Sequence, residues 1–228
     1  MPRLFISDLH LDAARPRTVE AFERFLAAEA RSTQALYILG DLFESWIGDD
    51  DDSDLARDVA RKLRAVSDSG VPIFFMHGNR DFLLGEAYAA RSGMTLLADP
   101  TVIELAGERT LLMHGDTLCT DDVGYQKFRT LVRDPQWQRD FLAKPLAARR
   151  AFAEHARGES RAQTAMKASD IMDVNQDAVE SAMRHHQVQR LIHGHTHRPA
   201  THRFRLDGRD AVRIVLPAWD DRSEALGV

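Results

Sequence analysis

Arg3-Leu4-Phe5-Ile6-Ser7-Asp8-Leu9-His10 runs four mostly apolar residues directly into an aspartate and a histidine. So short an apolar run reads as a strand. The same grammar returns four times. Tyr37-Ile38-Leu39-Gly40-Asp41, Phe74-Phe75-Met76-His77-Gly78-Asn79, Leu111-Leu112-Met113-His114-Gly115-Asp116 and Leu191-Ile192-His193-Gly194-His195-Thr196-His197 each end an apolar run on a carboxylate, amide or imidazole. Between the first of these runs lie helix-period stretches, with Val19, Phe22, Phe25 and Leu26 in one and Leu55, Val59, Leu63 and Val66 in the next. Strand alternating with helix predicts an α/β chain with parallel pairing.

Working outward, the pattern predicts strands at Arg3–Ser7, Ala35–Leu39, Pro72–His77, Thr101–Leu105, Arg109–His114, Arg190–His193, Ala200–Leu206 and Ala211–Leu216. From about residue 95 the strands come closer together, and Gly107-Glu108 and Asp207-Gly208 look like antiparallel hairpin turns. The 228 residues suit one domain spanning 1–228. Within it, 124–170 differs: it lacks a strand signal, is rich in helix formers, and carries ten Lys/Arg against five Asp/Glu. Pro135 and Pro145 mark breaks between short helices there. The stretch reads as a helical insertion, a cap or lid with apolar faces supplied by residues such as Phe128, Trp137, Phe141 and Phe152.

A net charge of −5 argues against nucleic acid as a partner. The single cysteine, Cys119, allows no internal disulfide and fits a reducing cytoplasm. Neither a signal-like start nor a run of membrane-spanning length is present, so any membrane contact is expected to be peripheral.

In an open α/β sheet, sites gather beyond the carboxyl ends of the strands, so five strands would bring their terminal ligands to one edge. The set is oxygen and imidazole nitrogen without thiolate, which suits Mn²⁺, Fe²⁺ or Zn²⁺. Seven ligands exceed the needs of one ion and suit two, about 3.5–4 Å apart. Each fragment has a plainer reading alone: Gly-Asp and Gly-Asn are ordinary turns, and a lone histidine on an apolar strand is usually a satisfied core residue. Their conjunction in this order carries the reading.

Asp8-x-His10, Gly40-Asp41, Gly78-Asn79, His114 and Gly194-His195-x-His197 together resemble the calcineurin-like metallophosphoesterases. The resemblance implies a two-sheet β-sandwich flanked by helices. It also implies that Asp8, His10, Asp41 and His197 hold one ion, and Asp41, Asn79, His114 and His195 the other, with Asp41 bridging.

Two departures narrow the resemblance. Where most of that superfamily has Gly-Asn-His, this chain has Gly78-Asn79-Arg80-Asp81. Arginine cannot supply a proton but can neutralise developing negative charge. That suffices for a phosphate leaving group, whose second pKa is about 6, so Arg80 points to a pyrophosphate bond. The insertion is the second departure. Together with Phe43-Glu44-x-Trp46-Ile47-Gly48-Asp49 and His114-Gly-Asp116-x-x-Cys119-Thr120-Asp121-Asp122, it is similar to the UDP-2,3-diacylglucosamine pyrophosphohydrolases of lipid A biosynthesis. That resemblance implies two Mn²⁺ ions, metal-activated water attack, and release of UMP and 2,3-diacylglucosamine 1-phosphate (lipid X). It further implies a monomer peripheral on the cytoplasmic face of the inner membrane. Catalytic roles then fall on Asp41, Asn79, Arg80 and His195, and substrate contacts on Asn79, Arg80, Asp122, Ser160, Thr164, Lys167 and His195. Another phosphoesterase, such as a protein phosphatase or nuclease, is disfavoured by Arg80 and the insertion. A metal-free scaffold is disfavoured by seven intact ligands.

Other residues take structural readings. Asp49–Asp52 is expected to be a solvated loop and helix cap, and His185 and His186 to end a helix. His155 and His202 are expected at the surface. His77, His193 and Asp116 are candidates for orienting ligands. Pro217-Ala218-Trp219-Asp220 departs from the expected Gly-Asp-Trp strand end.

Overall fold

The computed structural model describes residues 1–51, 53–166, 173–220 and 225–228, with backbone alone over 159–166. Two five-stranded sheets face each other. The first contains β1 (Arg3–Ile6), β2 (Ala35–Leu39), β3 (Ile73–Met76), β4 (Met94–Leu97) and β10 (Leu226–Gly227), in the order β10-β1-β2-β3-β4. Its β1–β4 are parallel, joined through α1 (Pro16–Ala28), α2 (Asp54–Asp68) and α3 (Glu86–Ser92), as the alternation predicts. The second contains β5 (Thr101–Leu105), β6 (Glu108–Met113), β7 (Arg190–His193), β8 (Ala200–Leu206) and β9 (Arg209–Val215), in the order β5-β6-β7-β9-β8. β6, β7 and β9 run parallel, while β5–β6 and β8–β9 are antiparallel hairpins.

Why the strands are apolar on both sides is visible in the packing. Phe5, Tyr37 and Leu39 meet Leu112, Ile192 and Leu216 between the sheets. Their neighbours Leu4, Ile6, Leu36 and Ile38 turn the other way, onto Phe22 and Phe25 of α1 and Val59 and Leu63 of α2. On the far side of the second sheet, Leu111, Met113 and Leu191 pack on Val179 and Met183 of α7 (Gln176–His186). His185 and His186 lie in the last turn of α7, as expected.

The Asp207-Gly208 turn is as predicted, with positive φ at both residues. The first hairpin turns one residue earlier than predicted, on Ala106-Gly107, because these two take the left-handed conformation that a two-residue turn requires. Between β6 and β7 lie α4 (Val123–Val132), α5 (Pro135–Leu142) and α6 (Leu146–Met166). Pro135 occupies the first turn of α5, where no backbone donor is lost. The final helix is a single 21-residue element, longer than the short helices expected after Pro145. Ser160 and Thr164 fall on α6, and Lys167 lies outside the described residues. No described helix is long and apolar enough to cross a membrane.

Candidate metal centre and substrate cavity

All five ligand-bearing strand ends open on the same side of the sandwich, three from the first sheet and two from the second. The single edge expected from one sheet is thus formed by two. His10 Nε2 lies 3.1 Å from His197 Nε2. Asp41 Oδ2 lies 3.7 Å from His10 Nε2 and 3.8 Å from His114 Nε2, so one carboxylate oxygen stands between two histidines. Asn79 Oδ1 is 3.0 Å from His114 Nε2 and 2.9 Å from His195 Nδ1. Asp8 Oδ1 lies 3.4 Å from His197 Nε2. All seven predicted ligands are therefore linked by short contacts. Donor atoms of Asp8, His10 and His197 lie within 4.8 Å of one another, as do those of Asp8, Asp41 and His114. Asp8 belongs to both groups, alongside the Asp41 that the sequence reading placed between the ions.

This donor set fits divalent cations. Asp8 Oδ1 is buried without a hydrogen-bond partner, which is costly unless a cation takes it up. Opposed imidazole nitrogens such as those of His10 and His197 share one space and cannot both donate into it. Electrostatics agree. Burial alone would raise the Asp8 carboxyl, but His197, His114 and His10 hold it below the usual range. Burial would likewise lower His114, yet Asp41, Asp8 and Asp116 lift it to about 9. The same field of buried carboxylates attracts a metal ion. His195 is pushed down to about 4 by burial and by His114.

Backbone geometry marks the same residues. Asp8, His10, Asp41, His195 and His197 all have φ between 49° and 69°. Outside two hairpin turns and the end of α7, no other described non-glycine residue does. Such conformations are strained and gather where surrounding structure enforces them for function. The enforcement is visible. Asp81, fully buried, accepts hydrogen bonds from Gly78 N (2.9 Å) and Asp41 N (3.3 Å) on one oxygen. Its other oxygen accepts from Leu42 N (2.7 Å) and Phe43 N (3.4 Å). Asp8 Oδ2 accepts from Ser7 Oγ and from His195 N, joining the first and last motifs. At Gly78 a Cβ would collide with Asp41, and at Gly194 with Ser7 and Asp8, so glycine is needed beside each ligand for close approach.

The 217–220 departure leaves the site intact. Trp219 N donates to Asp8 O, and the Trp219 ring sits edge-on to Phe22 and Phe25. Asp116 has no hydrogen bond to a proposed ligand among the described residues: its Oδ2 accepts from Tyr125 and Arg129 of α4, and its negative charge is one of those that raise His114. His193 is buried behind the site against Gly194 O and Arg213. His77 contacts the Leu84 carbonyl and no ligand. Of the acidic run, Asp49 fulfils the helix-cap part of the expectation and not the solvated-loop part, and Asp52 lies outside the described residues. Asp49 accepts from Gly85 N and Tyr88 N at the start of α3 and from Trp46 Nε1, because that helix end needs acceptors. Asp50 of the same acidic run pairs with Arg149 of α6. Cys119 is buried, and burial raises its thiol to about 12.

A cavity of about 710 Å³ opens over the cluster. Asn79, Arg80 and His195 line its polar end, and Phe128, Trp137 and Phe152 its apolar walls. Arg80 N donates to Asp41 Oδ1, while its side-chain Nε is buried without a partner. Asp122 caps α4 through Tyr125 N and also faces the cavity. Phe141 is buried in the main core yet also reaches the cavity, so the walls are rooted in the fold. His155 lies exposed at the rim.

Residues 1–199 match the family model described as calcineurin-like phosphoesterase. A relative from Escherichia coli O7:K1 (strain IAI39 / ExPEC), called UDP-2,3-diacylglucosamine hydrolase, is 58% identical over 96% of this chain and 91% of its own length. A relative of the same name from Escherichia fergusonii matches equally well, at 58% over the same shares. Among solved structures, zinc-complexed Vps29 from Entamoeba histolytica aligns over 96% of this chain and 74% of that one, at 17% identity and a TM-score of 0.46. A family model covering the five motifs, and identity this high along nearly the whole length, place the chain among the calcineurin-like phosphoesterases.

Proposed function

We propose that this protein hydrolyses the pyrophosphate bond of UDP-2,3-diacylglucosamine, giving UMP and 2,3-diacylglucosamine 1-phosphate in lipid A biosynthesis. The observation that carries the reading is one cavity whose polar end is the ligand cluster and whose walls are apolar side chains of α4, α5 and α6. A diphosphate joined to two acyl chains needs both. The name shared by the 58%-identical relatives supports the same substrate.

Asp8, His10, Asp41 and His197 would hold one divalent cation and Asp41, Asn79, His114 and His195 a second; the donors suit Mn²⁺, Fe²⁺ or Zn²⁺, and the family resemblance favours Mn²⁺ among them. Two such ions supply charge stabilisation at the phosphoryl oxygens and acidify water. The chain's own residues do the rest. His114 is held through its other nitrogen, Nδ1, which donates to Leu39 O at 2.8 Å and turns Nε2 toward the ligand cluster. Arg80, anchored by its backbone to Asp41, lines the cavity, where its guanidinium would neutralise charge on the diphosphate. With attack at the α-phosphorus, the departing sugar phosphate needs no proton donor, which accounts for arginine at this position. Asp122, Ser160, Thr164 and Lys167 would contact the substrate.

The stretch 124–170 acts as a cap on a single domain over 1–228 and excludes water from the reacting centre. Its excess of positive charge suits an anionic lipid surface, consistent with a monomer peripheral on the cytoplasmic face of the inner membrane. The test is Mn²⁺-dependent release of UMP from the diacyl sugar nucleotide, compared with the same nucleotide lacking acyl chains and with p-nitrophenyl phosphate. Fast turnover of the first alone is expected. Equal turnover of all three would reject the substrate.

A further inference from the structure

Phe43-Glu44-x-Trp46 lies just after the Gly40-Asp41 motif, and the proposed chemistry leaves Glu44 without a task. Its surroundings give it one. Glu44 N donates to Leu11 O, and Leu11 bridges Phe43, so the chain after Asp41 runs beside the chain after His10. That places Glu44 Oε2 at 3.1 Å from His10 Nδ1, on the ring edge opposite the nitrogen that faces Asp41 and His197. Glu44's other oxygen, Oε1, lies 3.7 Å from Arg157 Nη1, and the same guanidinium nitrogen is 3.6 Å from Asp12 Oδ2. Arg157 belongs to α6, over a hundred residues further along the chain. The Glu44 and Arg157 side chains are 19% and 23% exposed, and both line the cavity.

We propose that Glu44 is a positioning residue for His10, and that through Arg157 it couples the seating of helix α6 to the half of the centre that His10 serves. This rests on the metal reading above. A carboxylate at Nδ1 keeps the proton on that nitrogen and leaves the Nε2 lone pair free for a cation. It also fixes the rotation of a ring attached to a backbone held at φ 49°. Arg157, on the far oxygen of the carboxylate, holds Glu44 turned toward the ring. Movement of α6 away from the cavity therefore loosens His10, and an ion bound there favours the seated helix, because coupling of this kind is reciprocal.

The experiment is Mn²⁺ titration calorimetry on the full chain, on E44Q, on R157Q and on the double variant. It is paired with ¹⁵N shifts of the His10 imidazole in metal-free protein. E44Q should weaken one of two binding events by about 10–100-fold and shift the His10 proton from Nδ1 toward Nε2. E44D should restore part of both effects. R157Q should weaken the same event by about two- to five-fold, with no further loss when added to E44Q. Should the unaltered chain bind no Mn²⁺, the metal reading falls and takes this inference with it. Two normal binding events in E44Q and an unchanged His10 spectrum overturn the positioning role alone. Additive effects of E44Q and R157Q overturn the coupling. The metal-free spectrum reads His10 directly in any variant that retains dispersed signals, whatever its activity.

Discussion

Asp81→Asn changes one atom type and keeps the shape, so its effect can be worked from geometry. Each carboxylate oxygen of Asp81 accepts from two backbone N–H groups. Whichever way an amide turns, one arm presents donors to two donors. The Asp81 side chain is fully buried, and water cannot replace the lost acceptor. Each buried N–H left without a partner costs about 1–3 kcal/mol, so the pair costs about 2–6 kcal/mol. For a chain of 228 residues that is a fall of about 4–24 °C in Tm. Scanning calorimetry in EDTA isolates this loss from any metal contribution. The affected donors lie at Asp41 and beside Asn79, so Mn²⁺ affinity should fall as well. A Tm within 1 °C of the unaltered protein, with normal Mn²⁺ uptake, would show that Asp81 does not clamp the two loops.

Gly194→Ala should leave far-ultraviolet circular dichroism unchanged while reducing Mn²⁺ affinity by about 10–100-fold, since the added methyl collides with Ser7 and Asp8; calorimetric titration reads this. Burial, with Arg213 nearby, pushes His193 down to about 3, against 6.5 in the unfolded chain. A histidine lowered in the folded state contributes stability fully above pH 6.5 and loses about 1.4 kcal/mol per pH unit below it. Unfolding free energies from urea titrations at pH 7 and pH 5 in EDTA should therefore differ by about 2 kcal/mol more in the unaltered protein than in His193→Asn, and parallel profiles would refute the assignment. Phe152→Ala should raise KM for the diacyl substrate about ten-fold, by removing roughly 1.5 kcal/mol of apolar contact. Its turnover of an unacylated analogue should not change.

The strands of the sandwich core were legible because both faces are buried. Leu4 and Ile6 serve one layer and Phe5 another, so the run is apolar throughout. β4 and β10 were not: β4 buries one residue of its four and β10 neither of its two, so they lack the apolar run of a strand covered on both faces. That β7 pairs with β9, with β8 outermost, is decided by packing across the sheets, which no local pattern records. The seven proposed ligands stood out because each is next to a glycine or two positions from another proposed ligand at a strand end. Their supports were not. Asp81 sits inside a quoted motif, yet its clamp joins residues about 40 positions apart. Asp49 seemed one of a solvated acidic run, and its partners at Gly85 and Tyr88 exist only once α3 docks. Glu44 and Trp219 support the site through contacts with distant segments, and their own neighbours in sequence give no sign of it.

Anomalous scattering from crystals soaked in Mn²⁺ tests the centre most directly. Two peaks per chain are expected. One should lie among Asp8, His10, Asp41 and His197, and one among Asp41, Asn79, His114 and His195, with both lost or displaced in Asp41→Ala. Manganese found elsewhere on the surface, or a cluster left empty at saturating Mn²⁺, would contradict the account.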